Sequence, residues 1–162
     1  MQTFFKWFLV VLAIALLQAS VFPHYLLSAF NPDMFLVLMV FLALRAPVSV
    51  SLPSAYCLGL LKDCLGGMYL GLNGFSFLAA YLVLKSISDR LYVQSALLFV
   101  LTVAAASFGV VMVNLLLLLI FSQAPGLYSS LFSTLVPHIL MNAFMASLLT
   151  VLPSFKRTWT VK

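Results

Sequence analysis

The feature that most constrains this chain is its division into six apolar stretches by short segments of turn-forming residues. A helix that crosses a bilayer needs about 20 apolar residues, and four of the six stretches reach or approach that length. The separating segments include "FPH", "RAP", "SDR" and "QAPG", which are typical of turns. The predicted transmembrane spans are 4–22, 34–46, 49–65, 72–86, 95–121 and 131–152.

Composition supports the membrane interpretation. The chain is 65% hydrophobic and 7% charged, whereas soluble domains are about 45–50% apolar and about 25% charged. We therefore expect an all-α polytopic membrane protein that forms a single transmembrane domain over residues 1–162. The short second and fourth spans could be tilted, or one could be re-entrant. The first span loosely resembles a signal peptide ending in "QAS", but we favour a retained helix because the following sequence is equally apolar.

Basic residues predict the orientation of the spans. With the N-terminus in the cytoplasm, the inner segments collect seven of the eight lysines and arginines: Lys6, Arg45, Lys85, Arg90, Lys156, Arg157 and Lys162. Only Lys62 lies toward the outer end of a span. This bias places both termini in the cytoplasm and explains the net charge of +5 by topology and anionic lipid. Nucleic-acid binding is not expected.

Polar side chains within the spans concentrate toward the outer ends under this topology. Burial of polar and ionisable groups in a membrane is costly, and such groups usually face the bundle interior, a partner or a water-filled cavity. We therefore predict an outward-facing polar pocket or docking surface. The alternative is interhelical packing, in which each hydrogen bond contributes about 0.6 kcal/mol on average; we favour packing for the two asparagines in the later spans and function for Asp63. The candidate residues are Lys62, Asp63, Asn73, Asn114, His138 and Asn142.

Adjacent charges at Lys62 and Asp63 pose a specific question of pairing. Neighbouring helical residues point about 100° apart, so the two need not contact each other. We expect Lys62 to extend toward the lipid headgroups. Asp63 is too short to do so and needs a donor, for which the candidates are Asn73, His138 and the backbone N–H groups of the glycine-rich turn.

The glycines predict a tight helical hairpin at the outer surface. Five of the seven glycines occur within residues 59–74: Gly59, Gly66, Gly67, Gly71 and Gly74. We expect Gly66 and Gly67 to adopt left-handed conformations that end one helix, and Gly71 and Gly74 to allow close approach of the next. A phosphate-binding loop is not expected, because the segment lacks GxxxxGK[ST] and no strand precedes it.

Two further sequence features concern helix packing. Pro137 should remove a hydrogen bond from the sixth span and kink it. Ala105 and Gly109 form a small-xxx-small pair suited to close helix packing.

Residues that support catalysis are scarce. The chain has three aspartates, two histidines and no glutamate, with no HExxH or GxSxG motif, so we expect neither an enzyme nor a metal or other cofactor. Cys57 and Cys64 are too far apart to form a disulfide. Proton-coupled transport would require an acidic residue near the midplane, whereas Asp63 lies near the surface. The function classes that remain are a scaffold for other membrane proteins and a membrane subunit that binds a small ligand.

Two segments resemble the rod shape-determining protein MreD family: "NPDMFLVLMVFLALRAP" (31–47) and "GLLKDCLGGMYLGLNGFSFLAAYLV" (59–83). The specific part is the run G-x3-D-x2-GG-x3-G-x-N, beginning at Gly59 and ending at Asn73. Length and hydropathy agree along the whole chain. Lys62 departs from the apolar residue expected there, and the sixth span is generic.

This resemblance implies a non-enzymatic component of the bacterial elongation machinery in the inner membrane. In that family the protein works with the bitopic partner MreC, alongside MreB, RodA and a class B penicillin-binding protein. The implied fold is similar to the S-components of vitamin transporters. An S-component-like subunit that binds a small molecule or vitamin for uptake is therefore the alternative prediction.

Overall fold

A computed structural model describes residues 11, 13–21, 24, 30–66, 69–88, 95–121 and 125–151. All regular secondary structure in these residues is helical, which confirms that the fold is all-α. The last five predicted spans correspond to five helices. These are α1 (Met34–Arg45), α2 (Val48–Gly66), α3 (Leu72–Ser88), α4 (Ala96–Phe121) and α5 (Pro125–Val151). The described part of the first span is also helical and ends in a π-helical turn, Leu17–Val21.

The main difference from the predicted boundaries is the start of α5. This helix begins at Pro125, six residues before the predicted residue 131. The sequence predicts a turn at "QAPG", yet proline is favourable in the first turn of a helix because its φ is already helical and its missing N–H needs no partner there. The helix also continues through Pro137, so this proline does not end it, and the kink stays a prediction.

Helix α1 forms the centre of the bundle. Six consecutive residues, from Phe35 to Val40, are buried, so side chains on all sides of the helix are covered. It packs against α2, α3, α4 and α5. Its 12 residues rise only about 18 Å, which is less than the hydrocarbon thickness of about 30 Å. The surrounding helices cover its N-terminal end, where Asp33 is buried, whereas Arg45 at the other end is exposed.

Helices α2 and α3 form the hairpin predicted from the glycines. They approach closely at Gly59, where an added Cβ atom would lie 2.6 Å from the backbone oxygen of Asn73 and from Cα of Gly74. At Gly74 an added Cβ would lie 3.1 Å from a Leu60 methyl group. Gly59 of α2, and not only a glycine of α3, therefore sets the separation of the two helices.

The turn of the hairpin corrects two glycine predictions. Gly71, not Gly66, has the positive φ, +92°, because the chain reverses just before α3 begins. Gly66 is instead the last helical residue of α2, and Gly67 lies outside the described residues. An added Cβ at Gly71 would meet no atom within 4 Å, so Gly71 serves the turn and not helix packing.

Among the residues that the structure describes, the predicted small-residue pair in α4 makes no close helix contact. Ala105 is exposed, and an added Cβ at Gly109 would meet no atom within 4 Å. The buried stripe of α4 instead passes through Val103, Ala106, Ser107 and Val110. These positions repeat every three or four residues and form one helical face.

Two described helical segments are long and apolar enough to cross a membrane, Ala96–Phe121 and Thr134–Val151. Met34–Arg45 and Leu72–Ile87 are apolar but shorter. Six spans and cytoplasmic termini therefore remain predictions from the sequence.

Candidate functional site: a polar network at one end of the bundle

Asp33 lies at the N-terminus of α1 and is almost completely buried, with 1% of its surface exposed. Its Oδ1 accepts a hydrogen bond from the backbone N–H of Leu36 at 3.1 Å, which makes Asp33 the N-cap of α1. The Gln18 amide also donates to this oxygen, at 3.4 Å. The backbone N–H of Asp33 donates to Asn142 Oδ1 at 2.6 Å. Asp33 thus links the first helical segment, α1 and α5.

Lys62 forms an ion pair with Asp33. Its Nζ lies 2.5 Å from Asp33 Oδ2 and 5.3 Å from the centre of the Phe77 ring. The Lys62 side chain is 24% exposed. The predicted extension toward the headgroups is therefore wrong, because a buried carboxylate attracts the ammonium far more strongly in a low-dielectric interior than in water.

Asp63 closes the α2–α3 hairpin through four hydrogen bonds. Its Oδ2 accepts from the backbone N–H groups of Gly71 at 2.9 Å and Gly74 at 3.2 Å. Its Oδ1 accepts from the backbone N–H of Asn73 at 3.1 Å and from the Asn73 side-chain amide at 2.8 Å. Two of the three predicted sources of donors are confirmed, while His138 bonds elsewhere. Asp63 therefore caps α3 from the end of α2.

Asn73 and Asn114 extend this group of polar residues from the hairpin to α4. The Asn114 amide donates to Asn73 Oδ1 at 3.3 Å, and the Ser76 hydroxyl donates to Asn114 Oδ1. A continuous chain of hydrogen bonds therefore connects α2, α3 and α4.

Asn142 is the most deeply buried of the predicted polar residues, with none of its surface exposed. Its Oδ1 accepts from the backbone of Asp33, so the other end of the amide must be the NH₂ group. That group donates to Ser107 Oγ at 3.0 Å and lies 3.3 Å from His138 Nδ1. Because the NH₂ group is a donor, His138 Nδ1 acts as the acceptor.

Sequence reasoning missed four members of the network. Asp33 is not among the predicted site residues, because its role as the partner of Lys62 depends on packing between helices. Gln18 is not among them either, and it reaches Asp33 from the first helical segment. Ser76 and Ser107 were overlooked because a helical serine commonly bonds the carbonyl four residues earlier, as Ser107 does with Val103.

All six predicted polar residues lie in this network, arranged in two groups. One group joins Lys62, Asp33, Asn142 and His138; the other joins Asp63, Asn73 and Asn114. A cavity of about 120 Å³ is lined by residues of both groups, including Lys62, Asn114 and His138. Among the described residues, no cluster of metal-binding side chains occurs.

A second cavity, of about 510 Å³, lies between the hairpin turn and the end of α4. Its lining is apolar and includes Tyr69, Leu70, Phe75 and Phe121. Leu70 and Phe121 are among the most exposed hydrophobic side chains of the described part of the chain. This cavity differs in chemistry from the polar one.

A family model described as "rod shape-determining protein MreD" matches residues 1–156. The chain belongs to the MreD family. It is therefore a rod shape-determining membrane protein, and its family is not a known enzyme family. No curated protein and no solved structure matches the chain significantly.

Proposed function

We propose that this MreD-family chain is a non-enzymatic, multi-pass scaffold of the elongation complex in the bacterial inner membrane. It has six spans with both termini in the cytoplasm, and it binds an MreC-like bitopic protein. Through this partner it acts with MreB, RodA and a class B penicillin-binding protein to support peptidoglycan synthesis. The family match over residues 1–156 carries this proposal.

The geometry of the hairpin supports a docking role. Asp63 holds the start of α3 through three backbone N–H groups, so the start of α3 is fixed against the end of α2. Tyr69, Leu70 and Phe75 are exposed on and beside this turn. A binding surface on a rigid element loses less conformational entropy on association than a mobile one. The candidate polar residues would then act by positioning the surface that meets the partner.

The size of the polar cavity argues against the alternative, an S-component-like subunit that binds a vitamin. Ligand pockets are commonly about 300–1,000 Å³, whereas this cavity is about 120 Å³. The larger cavity falls within that range, but it lacks the few convergent polar groups that orient a small molecule.

Co-purification from membranes tests the scaffold. We expect the wild-type chain to retain an MreC-like bitopic partner, and Asp63→Asn to retain less because the hairpin loses part of its closure. Cys64→Ser is the matched control, since Cys64 is the next residue of α2 and is exposed. Equal recovery of the partner with all three chains, at equal membrane levels, would show that Asp63 serves only helix packing.

Depletion in a rod-shaped bacterium tests the cellular function. Cells should become round, and the wild-type chain should restore the rod shape. Cells that stay rod-shaped and instead lose vitamin uptake would support the S-component-like alternative. Saturable vitamin binding by the purified chain, or association with an energising ATPase module, would do the same.

A further inference from the structure

The cavity of about 120 Å³ is unusual because four helical elements each contribute a polar side chain to its wall. Asp33 precedes α1, Lys62 belongs to α2, Asn114 to α4 and His138 to α5. A cavity can hold a water molecule once its volume exceeds about 10–15 Å³ and polar partners line it. This cavity has room for several water molecules or for a small polar group.

The hydrogen bonds of His138 determine which ring nitrogen carries its proton. The backbone N–H of Asp33 fixes the orientation of the Asn142 amide, and the Asn142 NH₂ group then donates to His138 Nδ1. A ring nitrogen that accepts a hydrogen bond carries no proton, so the neutral ring is protonated at Nε2. Within the described part of the chain, this Nε2–H group donates no hydrogen bond.

Two other residues of the cavity wall have more N–H groups than hydrogen-bond partners. Lys62 has three N–H groups, of which one contacts Asp33 Oδ2 and the face of Phe77 accommodates the ammonium on another side. The Asn114 amide has two N–H groups, and the described residues supply one acceptor, Asn73 Oδ1. The cavity therefore offers unused donors from three helices.

Charge restricts what can accept these hydrogen bonds. The ammonium of Lys62 and the carboxylate of Asp33 neutralise each other, and His138 is neutral. A bound anion would therefore add a charge without a partner in a region of low dielectric, which is strongly unfavourable. A neutral oxygen is the better match to the cavity.

We propose that this cavity is a binding site for a neutral oxygen acceptor, which joins the unused donors of Lys62, Asn114 and His138. The oxygen comes either from water or from the ester or hydroxyl groups of a membrane lipid. By bridging α2, α4 and α5, the occupant completes the hydrogen bonds of the polar network.

Solid-state NMR in bilayers of phosphatidylethanolamine and phosphatidylglycerol tests the proposal. His24→Gln removes the other of the two histidines, so ¹⁵N-histidine labelling then reports on His138 alone. We expect the ¹⁵N shifts to show a neutral ring protonated at Nε2. Magnetisation transferred to this group from water protons identifies water as the occupant. Transfer from lipids labelled with ¹³C in the glycerol and ester groups identifies a lipid oxygen.

A cavity-filling substitution supplies the second measurement. Val111 lines the cavity, so Val111→Phe should abolish the transfer, whereas Leu116→Phe on the exposed surface of the same helix should leave it unchanged. If the His24→Gln protein shows no transfer from water and none from lipid, the proposal is overturned. A ring protonated at Nδ1, or at both nitrogens, overturns it as well; this result does not depend on how either phenylalanine variant folds.

Discussion

Replacement of Asp63 tests most directly whether one carboxylate holds the α2–α3 hairpin together. The side chain is 3% exposed and accepts hydrogen bonds from three backbone N–H groups and from the Asn73 amide. Asp63→Ala removes every acceptor and leaves these donors unsatisfied. Asp63→Asn keeps one oxygen but turns an NH₂ group toward N–H donors.

The expected losses follow from the strength of these hydrogen bonds. A hydrogen bond to a charged group contributes about 1.5–3 kcal/mol, and the four bonds share two oxygens, so their contributions do not simply add. Because water near the turn can satisfy part of the freed donors, we expect Asp63→Ala to lower the free energy of unfolding by about 3–5 kcal/mol. We expect Asp63→Asn to lower it by about 2–3 kcal/mol.

Reversible unfolding in mixed micelles of a mild detergent and sodium dodecyl sulfate measures both changes. Cys64→Ser is the control and should stay within about 0.5 kcal/mol of the wild type, as is usual for surface substitutions. If Asp63→Ala and Asp63→Asn change the free energy of unfolding by no more than that same margin, the role of Asp63 in the hairpin is refuted. Equal losses for the two variants would show that the retained oxygen of asparagine makes no useful bond.

Three other predictions concern the remaining contacts of the bundle. In a double-mutant cycle, Asp33→Asn and Lys62→Met should each destabilise the fold by about 3 kcal/mol, and the double variant should lose at least about 1 kcal/mol less than their sum; additive losses would contradict the ion pair. Gly59→Ala should cost about 1–3 kcal/mol because its Cβ would meet the α3 backbone at 2.6 Å, whereas Gly109→Ala should be neutral or stabilising by up to about 1 kcal/mol. The same unfolding assay measures both glycine variants, and equal effects would refute the close approach of α3 at Gly59. Asn142→Leu should lower the free energy of unfolding by about 2–4 kcal/mol by removing three hydrogen bonds, and a thermal melt unchanged from the wild type would count against that role.

Local sequence determined the features that depend on neighbouring residues. The apolar composition requires helices in a membrane-like environment, since a helix satisfies its own backbone hydrogen bonds. The hairpin was predictable because Asp63 and its donors are 8–11 residues apart, so chain geometry alone brings them together. The start of α5 was less certain, because proline and glycine at 125 and 126 suit both a turn and a first helical turn.

Tertiary structure decided which polar groups meet across the bundle. Lys62 and Asp33 are 29 residues apart, and Asn142 and Asp33 are 109 apart. The sequence located Asp33 and Lys62 near the ends of α1 and α2, because rise per residue fixes depth. The predicted depth of Asn142 was wrong, because α5 begins at Pro125 and Asn142 therefore lies past its middle. The sequence could not give the rotation of each helix about its axis, which depends on how the side chains of the other four helices pack around α1. That rotation turned Lys62 toward a buried carboxylate, and it buried Ala106 and Val110, each one position after a member of the predicted pair.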